Sequence, residues 1–164
     1  MGKISKVISR LASKNVYFDT NPIIYFLNQT EGYFELCLEL FQGIDDGVFR
    51  AYSGDICLTE LLVKPIRDND PLQVRNIKAL FDEGFFQLLA HNREVLEMTA
   101  EIRATQNLKM VDAIHAATAI HYQCDFIITA VKTIQKRIIV FNKGFLGVLN
   151  KTGKHTKTTN QVNS

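Results

Sequence analysis

The stretch VYFDTNPIIYFL, residues 16–27, places an acid between an apolar run and a helical pattern. Residues 16–18 are typical of a short strand buried in a sheet, and Asp19 follows them directly. Asn21 is a residue type that caps helices and Pro22 suits a first helical turn, so the pattern predicts a helix capped by Asn21. Because an ionised carboxylate among apolar residues is costly unless it is paired or binds a metal, Asp19 is a candidate functional residue.

The rest of the chain alternates between short apolar runs and helical periodicity. Further strands are predicted near residues 48–52, 85–90, 125–129 and 137–141. Helices are predicted at residues 34–44, 53–64, 70–82, 92–105 and 110–122, with Pro65 stopping the second of these. This alternation indicates an α/β fold with a largely parallel sheet, in which sites form where strands end and helices begin.

Two further acids stand in apolar surroundings, Glu60 in LTELLV and Asp112 in MVDAIHAATAI. If the fold brings them to Asp19, the three carboxylates repel one another unless a divalent cation lies between them. Mg²⁺ and Mn²⁺ prefer carboxylate and water oxygens, and such an ion activates water and stabilises charge on a phosphoryl oxygen. Spacing alone leaves two interpretations open. The acids share a metal site, or they act separately as helix caps and ion-pair partners, for example Glu60 with Lys64 at i+4.

Length and composition indicate one domain with basic ends. The 164 residues are 46% hydrophobic, without an apolar run near the ~20 residues that a membrane span needs. Three widely separated cysteines suggest core residues in a reducing cytoplasm rather than disulfides. Residues 15–150, the predicted domain, hold 12 basic and 17 acidic side chains.

The two ends have no acids and differ from each other in pattern. Residues 1–14 are predicted to form a short amphipathic helix or arm, whereas the polar tail 151–164 is predicted to be disordered. Their lysines and arginine either attract phosphates or are simply solvated.

Three segments resemble the PIN-domain nuclease family, in the same order along the chain: VYFDTNPIIYFL, LTELLV and MVDAIHAATAI, the last followed by FIIT. The resemblance covers roughly residues 15–150. It implies a three-layer α/β/α sandwich around a mostly parallel sheet of about five strands. It also implies hydrolysis of RNA with Mg²⁺ or Mn²⁺ held by acidic residues.

The resemblance also implies which residues form the site. By this resemblance, the catalytic and metal-binding residues are the three acids Asp19, Glu60 and Asp112. The residues expected to support the site through hydrogen bonds are Thr20, Asn21 and Thr129. Thr129 is also expected to end its strand.

The chain departs from the family pattern just after Thr129. The family commonly has a fourth acid two residues later, where this sequence has Val131, which can neither coordinate a metal nor position water. A second metal ion is therefore in doubt, whereas one site on three acids is retained. The nearby basic residues Lys132, Lys136 and Arg137 are candidates for contacts with RNA phosphates, although solvated charge runs are the commoner case.

The small size of the domain resembles the toxin of a VapBC-type toxin–antitoxin pair. That resemblance implies an antitoxin whose peptide covers the acidic groove, and a homodimer. The cysteines, as core residues without disulfides, are the basis for predicting a cytoplasmic location. The alternative is a catalytically impaired PIN module that binds RNA or a protein partner because Val131 replaces the fourth acid. A phosphoryl-transferring aspartate enzyme is disfavoured, since it needs a second Asp where this chain has Asn21.

Overall fold

A five-stranded sheet forms the centre of the protein. The computed structural model describes residues 3–131 and 137–142. The strands are β1 (Asn15–Phe18), β2 (Arg50–Gly54), β3 (Gln87–Leu89), β4 (Phe126–Val131) and β5 (Arg137–Asn142), in the spatial order β3-β2-β1-β4-β5. The first four are mutually parallel, and β5 pairs antiparallel with β4. The prediction of a mostly parallel sheet of about five strands is confirmed.

Seven helices are described around this sheet. They are α1 (Lys3–Leu11), α2 (Thr20–Leu27), α3 (Phe34–Asp45), α4 (Asp55–Arg67), α5 (Pro71–Asp82), α6 (Arg93–Gln106) and α7 (Met110–His121). The helix predicted for the N-terminal arm corresponds to α1. The predicted tail, residues 151–164, lies outside the described residues.

The central strand β1 separates two layers of core. Its alternate side chains Val16 and Phe18 belong to a large cluster that also contains residues of α1 to α5, whereas Tyr17 packs with Ala119 of α7 on the opposite face. Successive strand side chains point to opposite faces, so a strand whose faces are both apolar must be covered on both sides. This arrangement gives the expected α/β/α sandwich.

Two helix boundaries differ from the predictions. Helix α2 begins at Thr20 and its N-cap is Asp19, so the prediction of Asn21 as the cap is wrong. Helix α4 runs through Pro65 to Arg67, so this proline does not stop it. Proline removes one hydrogen bond of the helix, but the final turn still closes, because the Asp68 N–H donates to the Lys64 carbonyl oxygen at 2.9 Å.

Strand β4 also extends further than predicted, so Thr129 does not end it. Ala130 and Val131 continue the ladder opposite Ile138 and Arg137 of β5. A β-branched valine suits a paired strand, which explains why the chain remains extended here. Thr129 consequently lies two residues before the strand's end.

The three cysteines lie in the core and form no disulfide, as their spacing in the sequence predicts. Cys37, Cys57 and Cys124 are all free and buried, and burial raises the pKa of these thiols to about 12, 11 and 11 respectively. In the part of the chain that the structure describes, no helix is both long and apolar enough to cross a membrane.

Candidate active site

Asp19 lies where the carboxyl end of β1 turns into α2. One carboxylate oxygen, Oδ1, accepts a hydrogen bond from the Thr20 N–H at 2.6 Å, and Oδ2 accepts one from the Thr129 hydroxyl at 2.7 Å. The Asp19 N–H donates to the Ile128 carbonyl oxygen at 2.9 Å, which continues the pairing of β1 with β4. The carboxylate is therefore fixed by both central strands at once.

Glu60 reaches the same place from α4. Its Oε2 accepts hydrogen bonds from the Thr20 hydroxyl and, at 3.0 Å, from Nε2 of His115. Burial alone raises the pKa of Glu60, but the hydrogen bonds from these two donors outweigh burial, so the pKa is lowered and the group is ionised at neutral pH. Lys64, the alternative partner at i+4, instead pairs with Asp68 at 2.8 Å.

Asp112 faces this pair from the first turn of α7. Among the described residues it makes no hydrogen bond or ion pair in the structure. Burial raises the pKa of Asp112, and the negative charge of Asp19 raises it further. The mutual repulsion shows that α7 brings the third acid into electrostatic reach of the first.

His115 links the elements that carry the acids, a role that sequence reasoning missed. Its Nε2 lies 3.0 Å from Glu60 Oε2 and 3.4 Å from Asp19 Oδ1, and its Nδ1 lies 2.6 Å from the Tyr17 hydroxyl. The imidazole is only 1% exposed. The sequence signal for its place beside the acids is that His115 follows Asp112 by three residues and so lies on the same face of the helix.

The other predicted site residues differ in their placement. Thr20 is buried and bonded to both Asp19 and Glu60, whereas Asn21 makes no hydrogen bond to the three acids within the described residues. Lys132 and Lys136 lie outside the described residues. Arg137 begins β5, and its backbone pairs in register with Val131.

The donor chemistry suits a hydrated cation rather than a preformed cage. Within residues 3–131 and 137–142, no group of three His, Cys, Asp or Glu side chains is arranged to enclose a metal ion. Mg²⁺, however, usually retains several waters and binds through only one or two carboxylates. Asp112, which has no partner in the described structure, and the neighbouring Asp19 supply two such carboxylates, so the residues present fit that ion.

A groove of about 270 Å³ leads up to Glu60 between α2, α4 and α5. Its walls combine apolar side chains such as Ile24 and Leu27 with charged ones, including Asp70 and the ion pair of Lys64 with Asp68. A larger cleft of about 730 Å³ between α4 and α5 is lined by none of the three candidate acids. The smaller groove is the one that belongs to the site, because it alone of these two includes an acid of the cluster.

The α/β/α fold and the acids Asp19, Glu60 and Asp112 at the carboxyl ends of the parallel strands are typical of one class of protein. The sequence matches the PIN domain family over residues 16–136, and the chain belongs to that family. PIN domains are generally nucleases that use divalent metal ions. No protein of curated function matches the chain at a significant level.

Solved structures show the same fold. One chain of a toxin–antitoxin complex from Klebsiella pneumoniae is 22% identical, with a TM-score of 0.53 over 70% of this chain and 84% of that chain. A chain of VapBC2 from Rickettsia felis, bound to a DNA fragment from its promoter, is 17% identical, with a TM-score of 0.52 over 66% and 83%. At these identities the similarity establishes the fold alone.

A second histidine stabilises the helix that carries Glu60. His91 Nε2 accepts the Ile56 N–H of α4 at 2.9 Å, so this nitrogen bears no hydrogen and the ring is neutral with its hydrogen on Nδ1. Nδ1 lies 3.1 Å from the Thr118 hydroxyl oxygen, which can accept that hydrogen. Gly54 permits this contact, since a Cβ there would collide with the His91 ring.

This cap makes stability depend on pH in a specific direction. Burial lowers the pKa of His91 from its ordinary value of 6.5, against the opposing charge of Asp55. The stabilisation is therefore complete above that ordinary pKa and is lost as the pH falls below it, because the unfolded chain then binds a proton that the folded chain binds less well.

We expect His91→Leu to lower the free energy of unfolding by about 1 kcal/mol at pH 8, the usual cost of a lost helix cap. The difference from the wild type should shrink as the pH falls below about 6.5, when the wild type loses the same stabilisation. Urea denaturation at several pH values measures both quantities. A difference that stays constant from pH 8 to pH 5 would contradict the assignment.

Proposed function

We propose that this protein is a metal-dependent endoribonuclease that hydrolyses RNA phosphodiester bonds as the toxin of a VapBC-type toxin–antitoxin pair. The observation that best supports the proposal is the convergence of acids at the carboxyl edge of the parallel strands. Asp19 is bonded to Thr129 of the neighbouring strand and shares His115 with Glu60, while Asp112 lies within electrostatic reach. This chemistry, within the PIN domain family, suits phosphodiester hydrolysis.

In this proposal Asp19 and Asp112 hold Mg²⁺ or Mn²⁺, with Glu60 beside them. When bound, the ion supplies an activated water and neutralises charge on the phosphoryl oxygens. The ionised Glu60 keeps Oε1 without a hydrogen-bond partner among the described residues, so that oxygen can orient the attacking water. Attack at phosphorus would leave a 5′-phosphate and a free 3′-hydroxyl.

The RNA would approach along the edge where β4 and β5 meet. We propose phosphate contacts for Lys132, Lys136 and Arg137, which follow the site in sequence. An acidic centre repels RNA, so positive side chains that contact the RNA would offset that repulsion and position the backbone.

We expect purified protein to cleave single-stranded RNA with Mn²⁺ or Mg²⁺, and Asp19→Asn or Asp112→Asn to reduce the rate at least about a hundredfold, because each removes a charged ligand. A gel-based cleavage assay on varied RNAs measures this. Asp125→Asn is the matched control, since Asp125 binds the Asn15 N–H at the opposite end of β1. If the intact protein cleaves no RNA with any metal, the impaired module that only binds RNA or a protein is favoured.

Val131→Asp tests whether the missing fourth acid limits the rate. Val131 follows Thr129 by two residues in β4, so a carboxylate there would start from a strand next to Asp19. We expect cleavage to rise about tenfold, as for other groups that orient metal-bound water. The control is Val131→Asn, because asparagine has the shape of aspartate without its charge. Equal activity of the wild type and both variants would show that the fourth acid is dispensable.

The antitoxin in this proposal is a small protein whose peptide lies in the groove that ends at Glu60. The apolar walls suit a peptide with apolar anchors, and Glu60 at the end of the groove suits an arginine or lysine of that peptide. We further propose that the toxin is a homodimer, which light scattering can measure.

Expression of the wild-type protein alone should arrest bacterial growth, because uncontrolled RNA cleavage stops translation. The Asp19→Asn variant should not arrest growth, and co-expression of a small protein encoded beside the gene should relieve the arrest. Growth curves measure both effects. Normal growth with abundant, RNA-cleaving wild-type protein would refute the toxin role while leaving the nuclease activity intact.

A further inference from the structure

We propose that His115 is a positioning residue that holds Glu60 and Asp19 in the geometry needed to bind a divalent cation, with Tyr17 orienting its ring. The inference rests on the proposed nuclease function, but it assigns a role to two residues that carry no acidic group. The evidence for this role is that the two imidazole nitrogens of His115 contact different partners: Nδ1 contacts Tyr17, and Nε2 contacts Glu60.

The Nε2 atom donates a hydrogen bond to Glu60 and also lies close to Asp19. It lies 3.0 Å from Glu60 Oε2 and 3.4 Å from Asp19 Oδ1, on side chains that come from two different elements. The Glu60 carboxylate is ionised and has no hydrogen to give, so the hydrogen in this hydrogen bond belongs to Nε2. A single N–H thus lies between two negative charges and reduces their repulsion before any cation arrives.

The Nδ1 atom is fixed by β1. Tyr17, fully buried in that strand, places its hydroxyl 2.6 Å from Nδ1, and the two rings meet edge to face with centroids 5.7 Å apart. Gly54 leaves room for this hydroxyl, because a Cβ at that position would lie 2.7 Å from it. The tyrosine therefore determines the ring's orientation, as outer partners of metal-binding groups commonly do.

The arrangement leaves carboxylate oxygens free both for a cation and for the water that it would activate. The hydrogen bonds to Glu60 described above all fall on Oε2, which leaves Oε1 unused, and Asp112 has no partner among the described residues. Since His115 and Asp112 lie one turn apart on α7, any shift of that helix would move both together. The histidine therefore couples the position of the third acid to that of the other two.

The test compares His115→Leu, which removes the donor, with His115→Gln, whose amide N–H can replace it. Calorimetric titration of the RNA-free protein with Mn²⁺ and steady-state RNA cleavage are the two measurements. We expect His115→Leu to weaken Mn²⁺ binding about tenfold to a hundredfold and to lower kcat similarly, with KM for RNA little changed. His115→Gln should remain within about threefold of the wild type in both, as a retained donor requires.

His121→Gln, the same substitution on an outer position of the same helix, is the control and should bind Mn²⁺ as the wild type does. A folded His115→Leu variant with wild-type Mn²⁺ affinity and kcat would overturn the inference. If that variant does not fold, Tyr17→Phe decides: severalfold weaker Mn²⁺ binding supports the role, and unchanged binding overturns it. A wild-type protein that neither binds Mn²⁺ nor cleaves RNA overturns the proposed function itself.

Discussion

The Asp19 carboxylate is the point on which the site and the adjoining fold both depend. A negative charge at a helix N-terminus is stabilised by the free N–H groups and the dipole of that helix, and Asp19 occupies this position at the start of α2. The same group accepts the Thr129 hydroxyl from the neighbouring strand. The hydrogen bonds from Thr20 and Thr129 stabilise a charge that would otherwise be costly near the core, and the other acids are arranged around it.

Much of the architecture was predictable, because the elements have strong local signals. Asp70 before Pro71 predicts the start of α5, and Asp70 does accept the Gln73 N–H at 2.9 Å. Apolar strands between helices predict a parallel sheet covered on both faces, which the opposite placement of Tyr17 and Phe18 confirms. The errors lie at boundaries such as Pro65, which local rules treat as a stop. This proline lies inside the last turn of α4, where its missing N–H costs the helix only one hydrogen bond.

The candidate site was predictable only as a set of acids. Local sequence shows which carboxylates lack local partners, and family resemblance places them together. The histidine contacts could not be predicted, since Tyr17 and His115 are 98 residues apart and His91 reaches Ile56 across 35. Such bonds depend on how helices pack against the sheet, and a buried histidine in an apolar helix has the same sequence pattern whether it is bonded to acids or to a carbonyl group.

The strand order has a consequence for how the protein is made. The central strand β1 is synthesised about 110 residues before its partner β4, and the hydrogen bond from Thr129 to Asp19 spans the same interval. Contacts between distant residues form late in folding, because the intervening chain must first be closed into a loop. During translation, Asp19 and Glu60 therefore leave the ribosome before α7 and β4 do, and the site can assemble only after both of those elements have followed.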